Sequence, residues 1–451
     1  MNILHYTIGL PPTRHGGSVQ YAYDLMVEQS KTNNVFALIC GDTLFRSSKC
    51  RFKRHSQNGN IQIYSLTDPL TPTLIYGVSD PDSQHRDIDF DREDIRNFIQ
   101  SNKIEIMHLH TLMGLHKSIV EFIKGLGVKI IYTSHDFHGI CPHYNLLNHT
   151  GTLCSKSDGA SCALCNVNEP SDNFLRIANS SLYHFIKKRG IINAIKKLKK
   201  KSITTLSKKI DISDVDDEII GKFNQLLNYY KEYFLLIDKF HFNSTQTKVV
   251  FNQFLSGIDG KVIPVVTSGI KDNRKPLNIH TRVTFGFIGS LNDYKGFPLL
   301  KSIFTQLYND GYHNFKLKVY SGELIGFDLE CPAIEYCPPY KYSEISNILS
   351  SLDCIIVPSK WYETFSLVTL EAMGHGIPVI VSNNVGAKDI VSQYNPYFIF
   401  SSSLDLKSKL QSILSNPGIL ESMNDTILSH SWNFDISKHS SEILEFYKSL
   451  K

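Results

Sequence analysis

The chain has 451 residues, 42% of them hydrophobic, which is too long for one ordinary core and argues for two domains. A formal net charge of +4 is too small for a nucleic-acid-binding surface, so we expect no nucleic-acid partner, although it suits contact with phosphates or an anionic membrane surface. Nine cysteines, an odd number at low density, argue against a disulfide-stapled secreted domain.

The amino-terminal residues give no sign of a targeting segment. Met1–Leu10 lacks the charged region of a secretory signal. No apolar run reaches the roughly 18 residues that a membrane-spanning helix needs. We therefore expect a cytoplasmic protein, at most peripheral on the inner face of the cytoplasmic membrane.

Short apolar runs alternate with helical stretches along the chain, and they do so in two separate series. The predicted strands are Asn2–Thr7, Val35–Cys40, Ile106–His110 and Lys129–Thr133, then, after Val262, Thr284–Ile288, Lys316–Tyr320, Cys354–Pro358 and Pro378–Ser382. This alternation predicts an α/β fold of two Rossmann-like, doubly wound parallel-sheet domains. Ligands should bind at the carboxyl ends of the strands, in a cleft between the domains.

A glycine pair follows the first predicted strand. Gly16 and Gly17 lie in the run Arg14–Ser18, just before a helix predicted through Tyr21–Val27. Glycine lets the backbone approach a ligand, and a helix start supplies N–H donors. Many strand-to-helix turns carry glycine, so this loop is a weak signal alone.

Histidines mark the ends of two neighbouring predicted strands. His108 and His110 close the third strand, whereas His135 and Asp136 follow the fourth. We interpret His108 as packing at a strand end and leave the role of His110 open. Asp136 is a candidate for orienting an acceptor or serving as a base.

A loop-like segment, residues 141–165, carries four cysteines. Cys141, Cys154, Cys162 and Cys165 have the spacing C-x12-C-x7-C-x2-C, and four thiolates are a complete set of ligands for structural zinc. Since only one C-x2-C pair is present, reduced free thiols are the alternative. His138, His143 and His149 are nearby substitute ligands.

A basic stretch follows in a segment, about residues 173–239, that reads as helical. Ten Lys or Arg residues and no acid occur between Lys187 and Lys209, interleaved with isoleucine and leucine. Such a stretch favours either an amphipathic face on anionic lipid or an ordinary solvated helix surface.

The second series of strands opens with a lysine loop. A predicted strand ends near Gly289, and the following loop delivers Ser290 and then Lys295, just before Gly296. A lysine there suits a leaving diphosphate, on which negative charge grows as the bond to it breaks.

The strongest pattern runs from Pro358 to Val381, where Glu363 and Glu371 are separated by seven residues. The turn between them is predicted to enter a helix near Ser366, whose first N–H groups would bind a diphosphate. Glu371 would accept hydrogen bonds from a ribose diol. The predicted donor-binding turn comprises Thr364, Phe365, Ser366 and Leu367.

These residues resemble the E-x7-E signature of the family 4 retaining glycosyltransferases, group 1 enzymes with the GT-B fold that include polysaccharide, O-antigen and capsule synthases. The resemblance implies a UDP- or GDP-type sugar donor, a glycan or lipid-linked oligosaccharide acceptor, hexosyl transfer and no catalytic metal. It assigns Glu363 to the donor sugar, Glu371 to the ribose and His135 to the reacting sugar. Ser290 departs from the family, which usually has Arg at that position.

The resemblance also implies an organisation. We expect an acceptor-binding domain over residues 1–265, a nucleotide-sugar-binding domain over 266–430 and a returning helix over 431–451. Domain closure would bring His135 and the first glycine loop against Lys295 and Glu363. The alternatives are a nucleotide-sugar epimerase with the same fold and a non-catalytic scaffold or partner subunit.

Overall fold

A computed structural model describes residues 1–44, 47, 49–188, 215–279, 282–322 and 331–450. The chain divides into two compact units. The first comprises Met1–Phe242, Val250–Lys261 and Glu442–Lys451, and the second comprises Asn243–Val249 and Val262–Ser441. Each unit is built on its own sheet.

Within the described residues the first sheet has eight strands. They are β1 (Asn2–Thr7), β2 (Asn34–Ile39), β3 (Phe52–Asn58), β4 (Ile61–Leu66), β5 (Ile106–Leu109), β6 (Lys129–Thr133), β7 (Lys239–Phe242) and β8 (Gly260–Val262). Their spatial order is β3-β4-β2-β1-β5-β6-β7-β8. Along this order, all neighbouring pairs from β4 through β2, β1, β5 and β6 to β7 are parallel. Among the pairs with a defined register, only that of β3 with β4 is antiparallel.

The described part of the second sheet has six strands, all paired in parallel. They are β9 (Val283–Ile288), β10 (Phe315–Tyr320), β11 (Ile334–Tyr336), β12 (Cys354–Val357), β13 (Val379–Ser382) and β14 (Ile399–Phe400). Their spatial order is β11-β10-β9-β12-β13-β14.

Helices connect the strands in both units. Those before residue 262 are α1 (Gly17–Gln29), α2 (Arg92–Ser101), α3 (Lys117–Gly125), α4 (Gly159–Asn166), α5 (Asp172–Asn179), α6 (Ser181–Lys188), α7 (Asp217–Leu235) and α8 (Thr245–Phe254). The later ones are α9 (Phe297–Asn309), α10 (Ile345–Leu349), α11 (Leu367–Met373), α12 (Lys388–Tyr394), α13 (Ser403–Ser415), α14 (Gly418–Ser429) and α15 (Ile436–Lys448). Short 3-10 turns occupy Pro81–Gln84, Asp293–Lys295, Tyr342–Glu344 and Pro396–Phe398.

The central strands are apolar because parallel strands are covered on both faces. In β1 every residue after Asn2 is buried, and β12 and β13 are buried throughout. Strand β3 lies at an edge, and only Phe52 of its seven residues is buried. Its charged and polar side chains protect an open edge from pairing with another chain.

Each sheet has a point where successive strands diverge to opposite sides. In the first sheet the chain adds strands on one side of β1 and then starts the other side at β5. In the second sheet the same reversal lies between β9 and β12. In open parallel sheets, ligands bind outside the carboxyl ends of the strands at such a point.

The fold class predicted from the sequence is confirmed: two parallel-sheet α/β units. One local expectation was wrong, since the cysteine segment is not loop-like throughout. Residues Gly159–Asn166 form α4, which begins because the Asp158 side chain accepts a hydrogen bond from the Ser161 amide. The predicted domain limits remain a prediction.

Candidate active site

The lysine loop after β9 is held against the end of β12 by a glycine. Gly296 has φ 76°, and a β-carbon placed on it would lie 1.8 Å from the carbonyl oxygen of Pro358. No side chain fits there, so the turn Asp293–Lys295 packs directly on the chain that leaves β12. The sequence pattern Lys-Gly therefore has a steric cause in this fold.

Lys295 and Glu363, predicted from separate motifs, form an ion pair. The Lys295 Nζ atom lies 2.8 Å from Glu363 Oε1, and the buried Ser359 hydroxyl donates to Glu363 Oε2. The lysine ammonium also lies 5.2 Å from the centre of the Trp361 ring. The lysine side chain is 26% exposed and the glutamate 13%, so a cation and a carboxylate are presented together at the β9–β12 divergence.

The backbone around Glu363 is fixed by a one-residue parallel bridge to Val385. The Glu363 amide donates to the Asn384 carbonyl at 3.0 Å, and the Gly386 amide donates to the Glu363 carbonyl at 2.8 Å. A β-carbon on Gly386 would lie 2.2 Å from the Thr364 carbonyl oxygen. Glu363 is thus positioned by close backbone contact.

Thr364 and Phe365 anchor the turn that follows. The Thr364 carbonyl accepts hydrogen bonds from the Ser244 hydroxyl at 2.8 Å and the Thr247 hydroxyl at 3.0 Å. Phe365 is buried, and its carbonyl accepts from the Ala387 amide. These two residues hold the turn through their main chain.

Ser366 adopts a conformation that is rare for a residue with a side chain. Its φ is 93°, which costs on the order of 1–3 kcal/mol and is typical of ligand sites. Helix α11 starts at the next residue, Leu367, without a side-chain cap on its first turn. The helix therefore begins within one residue of the predicted start near Ser366, and the Ser366 side chain makes no capping hydrogen bond.

Glu371 lies on α11 and has a partner that the sequence motif did not reveal. The Tyr342 hydroxyl donates to Glu371 Oε1 at 2.7 Å. Glu371 is 9% exposed, and burial raises the pKa of its carboxyl group, an effect that the Tyr342 hydrogen bond opposes. Gly269 permits this contact, because a β-carbon there would lie 2.2 Å from the Tyr342 hydroxyl oxygen.

Ser290 is half-buried two residues beyond the end of β9, at the start of the same loop as Lys295.

In the first unit, Gly16 precedes α1 with φ 137°, and α1 begins at Gly17; both glycines are exposed. No described atom lies within 4 Å of a β-carbon placed on Gly16. Glycine is therefore favoured at position 16 by the backbone conformation, and the space beside it at the helix start is open.

Several buried histidines of the first unit form one group. His5 of β1 pairs in register with His108 of β5, and Thr133 of β6 pairs with His241 of β7. All four are fully buried. The sequence interpretation of His108 as packing leaves out its two hydrogen bonds, to Tyr447 and to Thr133, both 2.6 Å long.

His135 and Asp136 leave this group after β6. His135 Nε2 lies 3.4 Å from His110 Nδ1, and burial lowers the pKa of His135 to about 3. Burial raises the pKa of Asp136 to about 6, although the His138 amide donates to it at 2.9 Å. Near neutral pH these groups are therefore a neutral imidazole and a carboxylate that is readily protonated.

The four predicted zinc ligands come from a hairpin and a helix. Cys141 and Cys154 flank a hairpin bridged between Leu147 and Leu153, whereas Cys162 and Cys165 stand one turn apart on α4. Cys162 interacts electrostatically with the other three thiols. Among the described residues, no three of these sulfur atoms lie within 4.8 Å of one another.

Most of the basic stretch Lys187–Lys209, on which the membrane hypothesis rests, lies outside the described residues. The basic stretch begins in the last two residues of α6 and then lies outside the described residues. Every helix of the described part is too short or too polar to cross a bilayer.

Comparison with known proteins identifies the class of the fold first. Sucrose-phosphate synthase from Thermosynechococcus elongatus superposes with a TM-score of 0.55 at 12% identity, covering 100% of this chain and 98% of that one. HepE of Anabaena, solved with UDP and glucose, superposes with a TM-score of 0.53 at 12% identity over 100% of both chains. The chain has the GT-B fold of these two proteins.

The sequence comparisons then define the second unit. Residues 269–427 match the family model "Glycosyl transferases group 1", so the chain carries a domain of this family. This range holds Lys295, Glu363 and Glu371. Over 317 residues the chain is 24% identical to an uncharacterized 42.6 kDa protein in the cps region of Klebsiella pneumoniae. That match covers 68% of this chain and 65% of the relative, less than two thirds of its length.

Proposed function

We propose that this chain is a retaining glycosyltransferase that moves a hexose from a UDP- or GDP-type donor to a glycan or lipid-linked oligosaccharide. The Lys295–Glu363 pair at the β9–β12 divergence, within a group 1 domain, carries the proposal. The complex of HepE with UDP and glucose supports the donor class. The cps region of the Klebsiella relative supports a role in surface polysaccharide synthesis.

Lys295 and Glu363 divide the donor between them. Without a ligand, each charge offsets the other across 2.8 Å. When the donor binds, its diphosphate takes the ammonium group and its sugar hydroxyls donate to the carboxylate. Because negative charge grows on the leaving phosphate, a fixed cation beside it stabilises the transition state more than the ground state.

Glu371 and Tyr342 hold the nucleoside. A carboxylate accepts from both hydroxyls of a ribose, and the Tyr342 hydroxyl fixes one of its oxygens beforehand. The uncapped first turn of α11 supplies N–H groups to the diphosphate between the two glutamates. The strain at Ser366 persists because this turn serves binding.

Residues of the first unit complete the reaction in this proposal. His135 contacts the reacting sugar, Asp136 orients the acceptor, and Gly16 and Gly17 approach the donor phosphates. Retention follows from front-face attack within an ion pair, in which the departing phosphate takes the proton of the acceptor hydroxyl. No protein nucleophile and no metal take part.

Calorimetric titration with UDP, GDP and ADP tests the donor site. We expect one nucleotide to bind, and Lys295→Ala or Glu371→Gln to weaken it by about 10- to 100-fold, the worth of a charged hydrogen bond. Lys316→Ala is the control, because Lys316 lies near the amino end of β10, whereas Lys295 and Glu363 follow the carboxyl ends of β9 and β12. Equal losses in all three variants would indicate a general charge effect and contradict the site.

Turnover separates the remaining functions. Proton NMR of the reaction with the sugar conjugate of the bound nucleotide and a polysaccharide acceptor should show a product with the anomeric configuration of the donor. Conversion of the nucleotide sugar without any acceptor would instead identify an epimerase. Binding without turnover, for any acceptor, would identify a scaffold.

We also propose that the four cysteines bind one structural zinc ion. The backbone amides of His143 and Leu146 lower the pKa of the Cys141 thiol, and that of His149 lowers the pKa of the Cys165 thiol. Amide donors to sulfur stabilise thiolates, whereas burial raises the pKa of Cys141 to about 12 and that of Cys165 to about 11. The four thiolates would hold a zinc ion, which would resolve this conflict by favouring the deprotonated sulfurs and would tie the hairpin to α4.

Metal analysis of protein purified without chelators tests this proposal. We expect about one zinc per chain. The double variant Cys162→Ser, Cys165→Ser should lose it, and Cys337→Ser, a buried cysteine of the other unit, should retain it. Less than a tenth of an equivalent in the unmodified protein would rule the zinc site out.

A further inference from the structure

A chain of hydrogen bonds runs behind His135 through the interior of the first unit. His135 Nε2 lies 3.4 Å from His110 Nδ1, and His110 Nε2 lies 3.0 Å from His5 Nδ1. His5 Nε2 in turn lies 2.9 Å from the Oε1 atom of Gln29, the last residue of α1. We call this the His135 chain.

A second chain starts from the same glutamine. Gln29 Nε2 donates to the Tyr447 hydroxyl at 3.4 Å, and that hydroxyl lies 2.6 Å from His108 Nδ1. His108 Nε2 lies 2.6 Å from the Thr133 hydroxyl, which lies 2.8 Å from His241 Nδ1. We call this the His241 chain. Gln29 is 0% exposed and joins the two chains.

Each imidazole of the His135 chain is neutral. Burial lowers the pKa of His5 to about 4 and holds the pKa of His110 well below its usual value. The titratable groups that act on His110 are other histidines, His108, His5, His135 and His241, all of which disfavour its cation. A neutral imidazole has one N–H and one bare nitrogen, so each ring donates once and accepts once.

This rule gives both chains a direction, because an amide has distinct ends. Gln29 Oε1 only accepts, so His5 must donate from Nε2 and accept at Nδ1. His110 then donates to His5 from Nε2, and His135 donates to His110 from Nε2. The same reasoning makes Tyr447 donate to His108, and His108 donate to Thr133.

We infer that Gln29 is a positioning residue: through this buried chain its amide fixes His135 as the Nε2–H tautomer, with Nδ1 as the accepting nitrogen. Turning the Gln29 amide over would reverse every hydrogen bond in both chains together. His135 would then carry its proton on Nδ1. One side chain, distant in sequence, therefore decides whether His135 offers an acceptor or a donor.

The consequence for chemistry rests on the proposed function, in which His135 contacts the reacting sugar. A neutral Nδ1 acceptor takes a hydrogen bond from a sugar hydroxyl and does not protonate the leaving group. The accepted hydroxyl gains electron density, which helps a positively charged sugar centre to form. The Nδ1–H tautomer would withdraw this assistance.

A metal ion is the competing explanation for three clustered histidines. Ligand atoms of His5, His108 and His110 lie within 4.8 Å of one another. However, both ring nitrogens of each already have a hydrogen-bond partner, and this cluster contains no carboxylate to balance a buried dication. The hydrogen-bonded, metal-free group is therefore favoured.

Imidazole ¹⁵N NMR of histidine-labelled protein tests the inference directly. Long-range ¹H–¹⁵N spectra distinguish the two neutral tautomers, and His135→Gln and His110→Gln assign the signals by loss. We expect the Nε2–H form for His5, His110 and His135 in the unmodified protein. The Nδ1–H form at any one of them would overturn the inference, and this measurement requires no substitution of Gln29.

Substitution of the glutamine supplies the causal test. Gln29→Met should convert the single His135 tautomer into a mixture, whereas Gln20→Met, on an exposed turn of α1, should leave it unchanged. Tyr447→Phe breaks only the His241 chain, so it should alter the His108 signals and spare those of His135. A single, unchanged His135 tautomer in folded Gln29→Met would refute the role of Gln29. These readouts need neither donor nor turnover, so a failed glycosyl transfer would leave the inference standing.

Discussion

Lowering the pH from about 7.5 to about 5 should unfold the first unit before the second. The reason is that its buried histidines bind protons in the unfolded state but not in the folded state. Burial lowers the pKa of His5, His116 and His138 to about 4 in the folded chain, against 6.5 when unfolded. Between these values the unfolded chain binds protons that the folded chain does not. Stability therefore falls with the pH from 6.5 toward about 4 and is unaffected above that window.

The size of the effect follows from the pKa differences. Each of the three histidines costs about 1.4 kcal/mol per pH unit below its unfolded pKa, hence about 2 kcal/mol at pH 5. The three together remove about 6 kcal/mol, and His110 and His135, shifted in the same direction, add to the loss. Asp136 opposes them by about 1 kcal/mol, because its raised pKa of about 6 makes the folded state bind a proton first. A domain is stable by only about 5–15 kcal/mol, so the loss is decisive.

The chain provides its own internal reference for this measurement. Its two tryptophans, Trp361 and Trp432, both lie in the second unit, so tryptophan emission reports that unit alone. In urea titrations at both pH values, the far-ultraviolet circular dichroism should show an early transition at low pH that the emission lacks. Hydrogen exchange should assign the early transition to β1 and β5.

Variants test the cause of the acid sensitivity. His116→Gln removes one titrating group. Between neutral and low pH, the first unit of this variant should therefore lose about 2 kcal/mol less unfolding free energy than that of the unmodified chain. His149→Gln, at an exposed position, should recover nothing. Equal exchange free energies for β1 and β5 at the two pH values would refute the reasoning, since protonation would then cost the fold nothing.

Two further predictions concern the second unit. Gly296→Ala should cost about 1–3 kcal/mol more in urea unfolding than Gly311→Ala, because both have positive φ but only the former meets the Pro358 carbonyl; equal costs would contradict the packing of the lysine loop. Tyr342→Phe removes the hydrogen bond that lowers the pKa of Glu371, so this pKa rises further. As the pH is lowered, Glu371 should then become protonated earlier, and calorimetry should show nucleotide binding being lost at a higher pH than in the unmodified chain. An unchanged pH profile would separate Tyr342 from the ribose site.

Eight of the fourteen described strands were predicted from their apolar runs, whereas β3, β4, β7, β8, β11 and β14 were missed. The predicted Asn2–Thr7 and Lys129–Thr133 coincide with β1 and β6, and the other six predicted strands end within one residue of the observed ones. Strand β3, Phe52–Asn58, was not predicted. Its sequence FKRHSQN has neither an apolar run nor an alternation, because an exposed edge strand buries almost nothing.

The second-unit site was half predictable for a related reason. Lys295 and Glu363 each follow a strand of one parallel sheet, so their meeting at its carboxyl edge follows once β9 and β12 are neighbours. Tyr342 had no such signal. It reaches Glu371 from a short 3-10 turn, and the contact depends on tertiary packing against Gly269.

The histidine group shows why local patterns stop short of a site. The sequence places His108, His110 and His135 at strand ends, but Gln29 lies at the end of the hydrogen-bond chain that fixes the protons of His110 and His135, and Tyr447 contacts His108. These meet only because the sheet order sets β1 between β2 and β5 and because residues Glu442–Lys451 belong to the first unit. The tautomer of His135 therefore depends on residues brought together by the sheet and not on its neighbours in sequence, since reversing the Gln29 amide would reverse each hydrogen bond of the chain.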